Sequence, residues 1–526
     1  MEDAPLGDSA HKTVVIGAGI GGLSAALRLA SKGARVTVVE AADAPGGKMR
    51  TAPSVAGPVD IGPTVLTMRP VFEALFADVG ERLEDHVTLH RDPILARHFW
   101  RDGSSLDLFD DPDASVEAVR VFAGSKAAEQ FTRFAASAKA LFEAFDGPIM
   151  QSEAPALLPL TAHVLKNPKL IPAMMPGLSL ARRLQMSFDD PRLRQLFGRY
   201  ATYVGGSPHQ SPAVLGLIWH SEAQGVWSVE GGMHALAKAL HDLAVSKGVE
   251  FVFGQAAERI ATQGGAVSTV HLADGSAIPA DAVVFNGDPR ALSKGMLGPP
   301  AASAVPKAGT EPRSLSAFVW GFAAEPEGVE LAHHNVFFCD DPKVEFRDLA
   351  RGEMPRDATL YVCAQDRGGT TPEGPERFEI IMNGPPGHQT TEEAKETCQT
   401  RTFETLQQMG LTFSPRPQTP ALTTPKDFNQ AFPASDGSLY GRSPNGMMAT
   451  FQRPTARTAL KGLYLAGGGA HPGAGVPMAC LSGKHAAEAI WSDLASTSKS
   501  TRTATPGGMS TGSATMAAKP SPSSAS

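Results

Sequence analysis

The chain has 526 residues, of which 42% are hydrophobic and 19% charged, and it carries a net charge of −7. That length exceeds what one compact core supports, so two domains, successive or intertwined, are predicted. The negative balance argues against a phosphate-binding surface for nucleic acid, and four scattered cysteines with no CxxC pair argue against a disulfide framework or a cysteine zinc site.

The first twelve residues, MEDAPLGDSAHK, are polar and acidic, so no signal peptide is predicted. No run of about 18 apolar residues occurs, so no transmembrane helix is predicted either. Residues 13–16 (TVVI) read as a short buried strand from their β-branched content. GAGIGG follows, and LSAALRLASKG then carries apolar residues at helical spacing up to Gly33. Residues 35–40 (RVTVVE) read as the next strand. This βαβ unit places Gly17, Gly19 and Gly22 in GxGxxG register, the pattern of a Rossmann-like dinucleotide site. Gly17 permits the tight turn, Gly19 lets the backbone approach a pyrophosphate, and Gly22 lets the helix pack on the strand. The helix N-terminus offers unpaired N–H groups to the phosphates. Glu40 ends the second strand, where a carboxylate accepts the ribose hydroxyls and would repel the 2′-phosphate of NADP. The motif does not by itself separate NAD from FAD.

AADAPGGKMR places Gly46, Gly47 and Lys48 just beyond that acid. A second close backbone approach and a cation there fit a longer dinucleotide crossing the domain, although Lys48 also reads as a solvated surface lysine. VDIGPTV follows; Asp60 is predicted to cap the turn into Gly62 and Pro63, with Thr64 placed to face a flavin. This succession resembles the flavin-dependent amine oxidase and phytoene desaturase superfamily. The resemblance implies FAD, with Gly46, Gly47 and Lys48 lying along it.

Residues from about 110 to 220 read as amphipathic helices. Within them KNPKLIPAMMPGLSLARR has an apolar, proline-broken centre flanked by Lys166, Lys169, Arg182 and Arg183. It reads either as a segment that dips into one membrane leaflet or as a core helix with proline breaks. From Val226 a glycine pair, a helix stopped by Gly248 and a strand at 249–253 predict a return to the first sheet. The resemblance puts Ala257, just after that strand, against the adenine. A hairpin is predicted around Asp274 and Gly275, then a strand at 282–285 and a loop at 286–289. Residues from about 295 to 450 read as strands of a second sheet. His333 and His334 are adjacent in sequence and would face opposite sides of a strand, so no metal site is predicted.

Near the end comes LYLAGGGAHPGAGVPMACLSGKHAA: a strand, five glycines and a helix with Pro477 in its first turn. Together with VVIGAGIGGLSAALRLA, PGGKMR, DIGPTVLT and HHNVFF, this is similar to the bacterial-type carotenoid desaturases, from about residue 12 to 494. Within that family the C-terminal segment most resembles the 1-hydroxycarotenoid 3,4-desaturases. The resemblance implies an α/β fold: a Rossmann-like FAD-binding domain of glutathione-reductase or amine-oxidase type, interleaved with a mixed α+β substrate domain. The corresponding division is 12–110, 222–294 and 455–494 for FAD, and 111–221 and 295–454 for substrate and membrane. Residues 495–526, rich in Ser, Thr, Ala, Gly and Pro, read as a disordered tail.

By the same resemblance Gly468, Gly469, Gly475 and Val476 contact the flavin ring. The reaction implied is removal of two hydrogens from an acyclic carotenoid, one as hydride to FAD and one as a proton. His471 is the side-chain candidate for the proton, although it also reads as a loop histidine that only packs. The comparable helical stretch PLTAHVLKN offers His163 and no acid, so no acid–base role is carried over to it. A membrane-borne substrate implies peripheral association with the cytoplasmic side of the bilayer, and a single dinucleotide fingerprint implies oxygen or a quinone as electron acceptor. The alternatives are a phytoene or neurosporene desaturase of the same family, an amine oxidase, or a non-catalytic isoprenoid-binding escort.

Overall fold

In this computed structural model, residues 11–367 and 373–502 are described. Five segments far apart in sequence form one parallel sheet. In spatial order its strands are Leu463–Leu465, Ala282–Phe285, Lys12–Ile16, Arg35–Val39 and Glu250–Val252. Strands covered on both faces need no polar alternation, which is why VVI, AVVF and LYL are continuous apolar runs. Val15, Val36, Val38 and Val284 face a layer of three helices, Ile20–Ser31, Met233–Ser246 and Val476–Arg502. Val14, Ile16, Val283 and Leu463 face the other way, toward a three-stranded sheet within residues 257–279. The register aligns the C-terminal ends of the strands: Ile16 lies opposite both Val39 and Phe285, and Phe285 opposite Leu465. The chain therefore leaves the sheet along one edge, where ligands of such sheets bind.

A second, mixed sheet has eight strands. Its order is Leu411–Ser414, Ser316–Gly328, Glu376–Gly384, Leu360–Ala364, His334–Phe337, Ile94–Phe99 and Ser105–Phe109, with Leu422–Thr423 also pairing to Ser316–Gly328. Residues 94–109, expected in the cofactor segment 12–110, are strands of this sheet instead. Ile94–Phe99 pairs in parallel with His334–Phe337 and antiparallel with Ser105–Phe109, and Leu95 and Val336 are buried in one core. On one face Trp320, Phe322, Phe378, Ile380 and Met382 form a core. Residues of the opposite parity face a cavity.

The helical layer covers 112–223. Asp111 and Asp190 cap helices Pro112–Ala123 and Pro191–Gly198, each with proline in the first turn. Phe131, Phe134, Phe188, Phe197 and Trp219 pack between these helices. The proline-broken segment forms a short helix, Leu170–Met174, a left-handed turn at Met175, and a second helix, Leu180–Ser187. Arg183, expected among its flanking cations, is buried. Its guanidinium donates to the carbonyls of Ala173 (3.0 Å) and Ala213 (3.2 Å) and to Ser137 Oγ (2.9 Å). Ala173 lies in the last turn of its short helix, where carbonyls lack an intrahelical partner, and the arginine fork reaches it together with Ala213 O and the Ser137 hydroxyl. No described helix is long and apolar enough to cross a membrane.

Residues 495–502, expected in the disordered tail, continue the helix Val476–Arg502, because a helix already anchored at its buried end extends at little cost. Residues 503–526 lie outside the described residues.

Candidate active site

One cavity of about 1260 Å³ opens along the C-terminal edge of the parallel sheet and runs between the second sheet and the helical layer. That exceeds the ~300–1,000 Å³ of an ordinary small-ligand pocket and leaves room for a dinucleotide together with a second long molecule. The first loop forms one end. Helix Ile20–Ser31 has Gly19 at its N-cap, no side-chain cap and no acid in its first turn, so its leading N–H groups stay available. Gly19 and Gly47 approach closely: a Cβ on Gly47 would stand 3.1 Å from Gly19 Cα. Gly46 and Gly47 both have positive φ (119° and 60°), so the second glycine pair is required by backbone conformation as well as by space. Gly17 lines the wall, whereas Gly22 lies behind it, where a Cβ would meet Gly17 O at 2.1 Å; its role is helix-to-strand packing.

Glu40 also lines the wall. Its carboxylate accepts from the backbone N–H of Ala18 (2.6 Å) and Ala42 (2.9 Å), tying the glycine loop to the end of the second strand. Ala257 stands beside it in the wall with Gln255 and Ala256, and Gln255 N donates to Glu40 O at 3.1 Å. Lys48 is not a surface lysine. Its Nζ donates to Leu439 O, and burial pulls it down to about 8. Asp60 caps a different element from the one expected. Its carboxylate accepts from Met233 N (2.6 Å) and His234 N (3.1 Å), the start of helix Met233–Ser246, because Gly232 at that N-cap has no side chain of its own.

The C-terminal loop closes the cradle. Gly468, Gly469, Gly475 and Val476 line the cavity. A Cβ on Gly21 would stand 2.6 Å from Gly467 N, so the two glycine loops touch across 446 residues of sequence. Arg453 braces the loop by donating to Gly468 O at 2.7 Å, and to the carbonyls of Tyr440 and Arg442. His471 does not join the cavity wall. Its Nε2 lies 3.0 Å from Ile149 O and 2.9 Å from Ser152 O, carbonyls left over where the helical layer turns. Burial lowers it to about 4, so it is neutral at ordinary pH. His471, expected as the proton-handling side chain, instead packs against carbonyls of the helical layer.

Thr64 lies on the cavity wall between the cradle and the second sheet. Its hydroxyl is 2.9 Å from Tyr361 OH and donates to Glu379 Oε2 at 3.2 Å. Beyond it the wall is largely hydrocarbon, with Val319 and Ile381 on the sheet and Phe145, Leu160, Met174 and Leu215 on the helical side. The cradle thus fits FAD: glycines and a free helix end for the pyrophosphate, a carboxylate at the strand end for the ribose, and a second glycine loop where the ring would lie.

Comparison with known proteins agrees. Residues 20–491 match the family model described as flavin containing amine oxidoreductase. The chain belongs to that family. It is thereby a flavin-dependent oxidoreductase with FAD as its cofactor. Among its relatives, hydroxyneurosporene desaturase of Cereibacter sphaeroides is 58% identical over 489 residues, 93% of this chain and 99% of the relative. Hydroxyneurosporene desaturase of Rhodobacter capsulatus is 55% identical over 487 residues, 92% of this chain and 99% of the relative. A crystal structure of an oxidoreductase from Methanosarcina mazei shares the fold at a TM-score of 0.59 and 16% identity, covering 91% of this chain and 100% of that one.

In this flavoenzyme three groups that the sequence reading passed over stand on the wall: Glu379, Tyr361 and Arg453. The signal for Glu379 was present. In ERFEIIMNG the core takes Phe378, Ile380 and Met382, so the odd positions face the other way and the acid among them points into an apolar space. His333 and His334 do come together. His333 precedes its strand, so alternation does not apply, and ligand atoms of both rings and Cys363 lie within 4.8 Å of one another. Nδ1 of His333 is 2.8 Å from Arg367 O, and Nδ1 of His334 is 2.7 Å from Tyr361 OH. These contacts serve the packing of the sheet, and no metal is assigned to them.

Proposed function

We propose that the protein is an FAD-dependent carotenoid desaturase of carotenoid biosynthesis that introduces a C3,4 double bond into 1-hydroxy or 1-methoxy acyclic carotenoids. The observation that carries this reading is the continuity of one cavity from the glycine cradle into a long, mostly hydrocarbon arm. High identity to two hydroxyneurosporene desaturases over nearly the whole chain supports the same substrate class.

Gly17, Gly19 and the start of helix Ile20–Ser31 would hold the pyrophosphate, and Glu40 the ribose. Ala257 would lie at the adenine, Gly46, Gly47 and Lys48 along the dinucleotide, and Thr64, Gly468, Gly469, Gly475 and Val476 at the ring. FAD, when bound, accepts the hydride from the substrate. The helix beginning at Val476 directs its positive end at the ring site, which favours the negative charge that accompanies reduction. Val319, Ile381 and Leu215 exclude water and align an apolar rod.

Substrate entry is assigned to the helical layer. Leu158, Leu165 and Ile171 are exposed, while Leu160 and Met174 from the same two helices line the cavity. Lys166, Lys169 and Arg182 are exposed beside them. An apolar patch with a cationic rim at a tunnel mouth suits a peripheral seat on the cytoplasmic side of a membrane. Oxygen or a membrane quinone would then reoxidise the flavin.

The test is an absorption spectrum of carotenoid-loaded liposomes incubated anaerobically with FAD-loaded protein and a quinone. A red shift with 1-hydroxyneurosporene and none with phytoene is the expected result. A shift with phytoene alone would keep the desaturase chemistry and overturn the substrate.

A further inference from the structure

Glu222 and Glu379 both stand buried in the cavity wall, and they are treated differently. Glu222 is satisfied: the hydroxyls of Tyr200 and Tyr203 donate to its two oxygens at 2.8 and 2.9 Å. Glu379 is fully buried on the sheet wall beside Ile381, and only one of its oxygens is used. Oε2 accepts from Thr64, and Oε1 has no partner. A buried carboxyl oxygen left unpaired is costly, so an unused one on a residue of the cavity wall points to a ligand atom that completes it.

The neighbouring hydrogen bonds set its direction. Thr64 donates to Glu379 Oε2, so the Thr64 oxygen accepts from Tyr361 OH, and Tyr361 accepts in turn from Nδ1 of His334. The chain ends on Oε2 as a carbonyl-type acceptor. Burial, and then the charge of Asp60, push Glu379 well above the usual carboxylate range, and a proton carried on Oε1 is the arrangement that leaves Oε2 to accept from Thr64.

We propose that Glu379 seats the single oxygen at the end of an otherwise hydrocarbon substrate, its Oε1–H donating to a hydroxyl or ether oxygen. Thr64, Tyr361 and His334 are positioning residues that hold the carboxyl in that orientation. This rests on the desaturase reading and deepens it, because it names the group that tells a 1-hydroxy or 1-methoxy end from plain hydrocarbon. A donor suits both oxygenated ends and has no bond to make with a hydrocarbon one. The location agrees as well: the oxygen of such a substrate lies a few bonds from the carbons that lose hydrogen, and Thr64 places Glu379 where the cradle meets the apolar arm.

The experiment compares FAD-loaded wild type, Glu379→Leu and Glu379→Gln on 1-hydroxyneurosporene and on neurosporene, its hydrocarbon counterpart. The readout is the ratio of the two kcat/KM values. Glu379→Leu is expected to lower the hydroxyl preference about 10- to 100-fold, and Glu379→Gln, which keeps a donor, to restore most of it. A preference that survives in Glu379→Leu, or an equal loss on both substrates with the flavin spectrum intact, overturns the proposal. If Glu379→Leu does not retain flavin, Tyr361→Phe decides, since breaking the chain should lower the ratio several-fold and an unchanged ratio overturns the assignment. A wild type with no preference for the hydroxylated substrate overturns the substrate reading, and this proposal with it. A wild-type preference that survives in Glu379→Leu overturns this proposal alone.

Discussion

Gly483 in the last helix lies so close to Gly21 in the first that a Cβ on it would stand 2.3 Å from the Gly21 carbonyl oxygen. Ser24 reinforces the contact by donating to Cys480 O at 2.7 Å, fully buried. The same crossing brings Gly21 against Gly467, so the distance between two helices fixes the distance between the two loops that would enclose the cofactor.

Gly483→Ala should therefore part the helices and loosen the cradle. Overpacking of this kind costs about 1–3 kcal/mol. A lowered midpoint in urea together with reduced flavin content is the expected outcome. Full flavin content with unchanged stability would show that the crossing tolerates a methyl group.

Glu40→Ala removes the acceptor shared by Ala18 N and Ala42 N as well as the carboxylate for the ribose. FAD affinity, read by flavin fluorescence titration, should fall about 10- to 100-fold, the scale of losing charge-assisted hydrogen bonds. An unchanged affinity would remove Glu40 from the site.

His471 provides a stability test in place of a catalytic one. Its imidazole titrates at about 4 in the fold, against an ordinary value of 6.5, mainly because of burial. The unfolded chain therefore takes up this proton first. The contribution is fully present above pH 6.5 and is lost as pH falls toward 4, about 3 kcal/mol in all. His471→Gln should show a smaller drop in urea stability than wild type between neutral and mildly acid pH, and should keep the neutral-pH shape of the kcat profile. Loss of that shape would return His471 to the chemistry.

Leu158 and Leu165 are 84% and 68% exposed on the helix whose Leu160 lines the cavity. The double substitution L158S/L165S should weaken binding to anionic vesicles at least about 10-fold, given ~1.5–3 kcal/mol per buried leucine. Flavin content should be unaffected, since neither residue approaches the cradle. Undiminished vesicle binding would place the membrane contact elsewhere.

Much of the cradle was legible in sequence because its determinants are local. A glycine that must adopt positive φ, a strand-end acid one βαβ unit away, and Pro477 in the first turn of a helix all act within a few residues of where they are read. Alternation along ERFEIIMNG held a signal for Glu379 too, but it stands out only once Phe378, Ile380 and Met382 are known to face the core. What the sequence alone determined was therefore the two glycine loops and the cofactor class. The tertiary structure decided the partners. It turned His471 toward carbonyls 322 and 319 residues away, gave Asp60 a helix to cap 173 residues on, and buried Arg183 against two backbone carbonyls and the Ser137 hydroxyl. It also set Thr64 against Glu379 across 315 residues. Those pairings depend on how sheets and helices stack, and no local preference of the chain specifies which distant polar group will meet a buried one.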